Sequence, residues 1–168
     1  MAIFTKTDHV LEAKRCITDP WHFISRMKVI HLSRGKVDFN LYSFQKDVIY
    51  DVLTNRYTIT LKPRQMGITT ILAALALWYA TFRPNTKIVI VSLRHDVAKA
   101  FIRRMKGMWL SLPAHLQAEI ANGTNKRTSF GTQTHVIFNN GSEIEAVAST
   151  EQAGRSDSIN WLITEVVS

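Results

Sequence analysis

The sequence predicts an α/β fold, a partly parallel sheet flanked by helices, on three observations. A β-branched and aromatic stretch at residues 56–61 runs through a glycine-containing loop into an apolar run of good helix formers at residues 71–80. A second buried-type strand at residues 86–92 leads into a basic, helix-patterned segment from about 96 to 110. Further on, two short strand patterns flank Asn139-Asn140-Gly141-Ser142, and an apolar strand ends at Glu165. In sheets of this kind, ligands sit outside the carboxyl ends of the parallel strands.

Taken in order, residues 1–40 read as a lead segment and residues 41–168 as the core. Tyr42, Phe44, Val48, Ile49 and Val52 form the apolar face of a first core helix and its lead-in. Residues 56–61 read as a strand. The run at 71–80 reads as a buried core helix, because it is too short to span a membrane and is stopped by Arg83-Pro84. In the basic helix, Val97, Phe101, Met105 and Met108 face the core, while Arg103, Arg104 and Lys106 read as a solvated face in preference to the alternative, a DNA grip. A shorter helix is expected near 113–121, then a turn-rich loop at 121–125. Asn140-Gly141 between residues 134–138 and 143–147 predicts a hairpin, since this pair accepts positive φ.

The loop between the first strand and the apolar helix, Lys62-Pro63-Arg64-Gln65-Met66-Gly67-Ile68-Thr69-Thr70, has the shape of a phosphate-binding loop. A standard Walker A loop reads G-x-x-x-x-G-K-[ST]: backbone N–H groups cradle phosphates, the lysine neutralises them and the hydroxyl holds Mg²⁺. Gly67 and Thr69 occupy the second-glycine and hydroxyl positions, but Lys62 replaces the first glycine and Ile68 the lysine. Lys62 or Arg64 must then supply the missing cation. Thr69 and Thr70 fall in the first helical turn, where N–H groups and the macrodipole favour an anion. The plainer alternative is a turn and helix cap. Asn160-Trp161-Leu162-Ile163-Thr164-Glu165 has the form of a Walker B strand ending in a carboxylate that could orient an attacking water, or of an ordinary strand with a solvated end.

Together these segments resemble the N-terminal ATPase domain of the large terminase subunit, the DNA-packaging motor of tailed bacteriophages. Leu41-Tyr42-Ser43-Phe44-Gln45 resembles the adenine-recognition segment, residues 62–70 the terminase Walker A, Asn140-Gly141-Ser142 the hairpin ahead of Walker B, and Ala153-Gly154-Arg155-Ser156-Asp157 the arginine segment before it. The resemblance spans residues 20–167 and implies a P-loop NTPase of the ASCE or RecA-like kind. It implies ATP and Mg²⁺ as cofactors. Gln45, Lys62, Arg64, Gln65, Met66, Gly67, Ile68, Thr69 and Thr70 would bind nucleotide, Thr69 and Glu165 the metal, and Glu165 and Arg155 would serve catalysis. Some terminases carry their lysine where Lys62 stands and Ser or Thr before the Walker B glutamate, as in Thr164-Glu165. Arg155 resembles a trans-acting arginine finger; it also reads as a solvated loop arginine, as Gly154, Ser156 and Asp157 suit a turn. Double-stranded DNA, a homo-oligomeric ring, a portal protein and a small terminase subunit are the implied partners, in the host cytoplasm during assembly.

Composition agrees with this. With 168 residues and 46% apolar content, the chain has material for one core. A net charge of +8 suits a polyanionic partner, though the positive residues are dispersed. A single cysteine, Cys16, excludes an internal disulfide, and no signal-peptide run opens the chain. The six histidines lack metal-ligand spacing, so no zinc site is expected. Because the chain stops at Ser168, the fold is expected to be incomplete at its C-terminus, with the nuclease domain absent. A truncated, non-hydrolysing remnant that binds nucleotide, DNA or motor subunits is the alternative to an active ATPase.

Overall fold

A computed structural model describes residues 6–31, 33–61, 63, 65–121, 130–149 and 158–165, with Glu165 described for its backbone alone. Lys62, Arg64, Arg155 and the Glu165 side chain therefore lie outside the described residues.

The chain forms an α/β fold with a mixed, partly parallel four-stranded sheet flanked by helices, as the alternation of patterns predicts. Strand β3 (Lys87–Ser92) pairs in parallel with β5 (Glu143–Ala148) on one side and β6 (Trp161–Glu165) on the other. Strand β4 (His135–Ile137) adds to β5 antiparallel, giving the order β4-β5-β3-β6. The central strand reads as a near-continuous apolar run because it is covered on both faces: Ile88, Val89 and Ile90 are all buried. Asn160 fixes the register of β6. Its Oδ1 accepts from Lys87 N at 2.8 Å while its own N–H donates to the Lys87 carbonyl at 3.0 Å.

Helix α4 (Ile68–Phe82) is the core helix the sequence predicts. Ile71 and every residue from 73 to 78 are buried, as a helix apolar all round requires. It packs against α2 (Pro20–Ser25), α3 (Ser43–Thr54) and α5 (His95–Trp109). Phe101, Met105 and Met108 of α5 are buried while Arg103 and Arg104 are exposed, so this helix too follows its sequence pattern.

The N-terminal residues share that core. Helix α1 (Lys6–Thr18) runs into α2, whose N-cap Asp19 accepts from His22 N at 2.9 Å with Pro20 in the first turn. The hairpin β1 (Lys28–His31) and β2 (Gly35–Asp38) follows. Phe23, Ile24 and Met27 are fully buried in the same cluster as α4, and each such side chain contributes about 1.5–3 kcal/mol of burial. Trp78 Nε1 donates to the Cys16 carbonyl at 2.7 Å, bonding α4 to α1. Cys16 is itself fully buried, and burial pushes its thiol up to about 11.

Two predicted elements do not form. Residues 56–61 are not a strand: Tyr57, Ile59 and Leu61 are 80%, 91% and 96% exposed, and no ladder partner lies beside them among the described residues. β-propensity expresses a fit to a pleated, half-buried surface, and here no such surface is offered. The helix near 113–121 shrinks to one 3₁₀ turn, Ala114–Leu116. Beyond it the backbone is drawn to the sheet, where Asn139 N donates to the Glu119 carbonyl, Ala121 N donates to that of Ile137, and Ile120 bridges Phe138.

Candidate functional site

The two ends of α4 differ in what meets them. At its C-terminal end the Asn140-Gly141-Ser142 turn supplies donors to carbonyls that no helical N–H can reach. Asn140 Nδ2 donates to the Ala80 and Thr81 carbonyls at 2.8 and 3.2 Å, and Ser142 Oγ donates to the Arg83 carbonyl at 2.6 Å. Asn140 Oδ1 accepts from Ser142 N, so the turn is braced internally as well. Gly141 has φ +81, and a Cβ there would collide with Asn85 Oδ1. This segment therefore ties the helix to the start of the sheet.

At the N-terminal end stands the predicted phosphate loop. Gln65 and the N-cap Gly67 both have left-handed backbones, φ 67 and 73. Gln45 holds the loop from beneath: its Oε1 accepts from Tyr42 N at 3.2 Å and its Nε2 donates to the Met66 carbonyl at 3.1 Å. A Cβ on Gly67 would come within 2.9 Å of that Nε2, so glycine is needed both for φ and for the close approach. Gln45 is 5% exposed, and one amide hydrogen and one lone pair are spent on this brace. Phe44 packs partly buried against the core, its ring stacked on that of Tyr42.

The Gly67 carbonyl accepts from both Thr70 N and Ile71 N at 3.0 Å, which closes the first turn of α4. Ile68, in the place of the usual lysine, is 4% exposed and gives its side chain to the core. Only its backbone can face a ligand. Thr69 and Thr70 are half-buried, and Thr69 lines a cleft of about 450 Å³.

The opposite wall of that cleft is α5, which contributes Asp96, Lys99, Arg103 and Arg104. Arg94 grips Asp96 with two hydrogen bonds of 3.0 and 2.7 Å, and this contact holds the Asp96 carboxyl below its usual range. Lys99, Arg103 and Arg104 form no ion pair among the described residues. The cleft is consequently cationic, and it faces the positive end of the α4 dipole. Arg103 and Arg104 are exposed, as the sequence reading expects, but it did not place them on a cleft wall and did not name Lys99. The signal available was the i, i+4 spacing of Lys99 and Arg103 directly after a central strand.

The cleft opens beside the carboxyl end of β3, since α5 begins three residues after Ser92. In the β3–β6 ladder Ser92 is the partner of Glu165, so the backbone places Glu165 at the carboxyl end of the parallel strands. Ser92 Oγ is buried there without a hydrogen-bond partner among the described residues. A cationic cleft at a helix N-terminus, with a half-buried threonine on its wall, suits an anionic ligand such as a phosphate group.

No protein-family model matches the chain. Among the described residues, no helix is long and apolar enough to cross a membrane.

Proposed function

We propose that this chain is the ATP-binding module of a DNA-packaging motor of the large-terminase kind, an ASCE-type P-loop ATPase that translocates double-stranded DNA into a preformed capsid. The observation that carries this reading is the cationic cleft between Thr69 and α5, at the N-terminus of α4 and the carboxyl end of a parallel strand. Backbone N–H groups around Gly67, with Lys62 or Arg64 from the loop and Lys99 and Arg103 from α5, hold the phosphates. Thr69 and Glu165 hold Mg²⁺, which neutralises phosphate charge when bound. Glu165 orients the attacking water, and Gln45 reads adenine with its remaining amide donor and acceptor while bracing the loop. Arg155 completes the site of a neighbouring subunit in a homo-oligomeric ring, which docks on a portal protein with the small subunit in the host cytoplasm.

A second reading, nucleotide binding without turnover, is favoured by one observation. The segment that should lead into the loop as a strand, residues 57–61, is exposed and outside the sheet. The deciding experiment measures ATP binding and hydrolysis with Mg²⁺, with and without double-stranded DNA, for the wild type, Lys62→Ala and Glu165→Gln. Active-motor chemistry requires DNA-stimulated turnover that Glu165→Gln abolishes while binding persists, and weaker binding in Lys62→Ala. Binding with no turnover in the wild type selects the second reading. Equal turnover in wild type and Glu165→Gln overturns the catalytic assignment.

A further inference from the structure

Far from the phosphate loop, three side chains from opposite ends of the sequence converge. His9 and Glu12 stand three residues apart on one face of α1, and His115 lies in the 3₁₀ turn that follows α5. One ligand atom from each lies within 4.8 Å of the other two. His115 Nε2 and Glu12 Oε2 are 2.8 Å apart, and the imidazole rings of His9 and His115 are tilted at 44° with centroids 4.1 Å apart. The Glu12 and His115 side chains are 14% and 22% exposed, although His115 as a residue lies at the surface, so the cluster is partly shielded and reachable from solvent.

We propose that His9, Glu12 and His115 form a divalent transition-metal site of the zinc class that fastens α1 to the turn after α5. Two imidazoles and one carboxylate are a donor set that borderline cations such as Zn²⁺ select over Mg²⁺ or Ca²⁺. Donors in a tetrahedral zinc site stand about 3.3 Å apart, given bonds of about 2.0–2.1 Å. The orienting shell is already in place: Arg26 holds the other Glu12 oxygen at 2.6 Å, leaving Oε2 as the single ligating atom and offsetting its charge. Access is also present, because a cleft of about 410 Å³ runs along His115 beside Gln117 and Asn139. The metal takes the place of the hydrogen between His115 Nε2 and Glu12 Oε2, the neutral imidazole then carrying its one proton on Nδ1, with water as a fourth ligand. The sequence hides this site because His115 is more than a hundred residues from its partners; the His9-x-x-Glu12 spacing on one helix was the visible part.

The test is titration of the intact protein with Zn²⁺ by calorimetry, and with Co²⁺ by visible absorption, for wild type, His9→Gln, His115→Gln and the control His31→Gln. The expected result is one ion per chain and a higher Tm with Zn²⁺. Four-coordinate Co²⁺ bands without a thiolate charge-transfer band are also expected. Each of His9→Gln and His115→Gln should weaken binding by more than the roughly tenfold to hundredfold that loss of an orienting partner costs, with His31→Gln unchanged. Equal affinity in all variants overturns the site. So does a wild-type Co²⁺ spectrum lacking the four-coordinate bands, or one showing thiolate ligation by Cys16, and these two outcomes hold even if a variant fails to fold.

Discussion

The two ends of α4 divide the labour of the molecule. At the C-terminal end Asn140, Gly141 and Ser142 satisfy helix carbonyls and one another. At the N-terminal end, Gln65 and Gly67 hold left-handed backbones over a cationic cleft, and the buried Gln45 amide donates to the Met66 carbonyl of the loop. A helix end closed by its own chain stabilises the fold. One braced from beneath and open in front is suited to an anion.

This contrast is broken most strongly at the closed end. Asn140→Ala removes bonds to two helix carbonyls and the brace on Ser142, and stability measured by urea unfolding should fall by about 3 kcal/mol. Nucleotide affinity of the folded fraction should stay unchanged. At the open end, Gly67→Ala forces a Cβ onto a left-handed backbone and against Gln45 Nε2. That should cost about 1–2 kcal/mol of stability. The larger readout is ATP affinity, expected to fall about thirtyfold in a fluorescent-nucleotide competition assay.

A sharper form of the comparison removes charge without touching the loop. Lys99→Ala and Arg103→Ala should each lower ATP affinity about tenfold while leaving the unfolding midpoint within experimental scatter. Loss of stability with intact affinity would return α5 to the role of a solvated face. The smallest effect belongs to Glu143, at the closed end of the sheet. Burial raises its pKa, but the hydrogen bonds and charges of Lys87 and His135 outweigh this and hold the carboxyl below its ordinary value of 4.5. With a folded pKa below the unfolded one, its contribution is fully present above pH 4.5 and is lost as pH falls through the folded value. Glu143→Gln should remove about 1 kcal/mol or less at neutral pH and flatten the acid limb of the stability profile.

What the sequence made legible follows from what local pattern encodes. The apolar run of α4, the alternation of α5, the Asn-Gly turn and the buried run of β3 each carry their environment in their own residues. Residues 56–61 and 113–121 carry pattern too, but their fate depends on whether a neighbouring strand is available, and that is a property of the assembled sheet. At the site, Gly67 and Thr69 were visible from spacing alone. Lys99, Arg103 and Arg104 were not, because a basic helix face looks the same whether it meets water or a cleft. Gln45 was singled out as part of the adenine-recognition segment, but its use as the brace beneath Met66 could emerge only once α3 and the loop were brought together.

The buried thiol of Cys16 has a practical corollary. A sulfur that is inaccessible, held largely in its protonated form and unique in the sequence reacts slowly with maleimides and disulfide reagents. The wild-type chain therefore serves unaltered as the background for probe attachment. A cysteine introduced at Thr58 and another at Ser43 would accept spin labels selectively, and the distance between them would report whether residues 57–61 shift relative to the start of α3 when ATP is added.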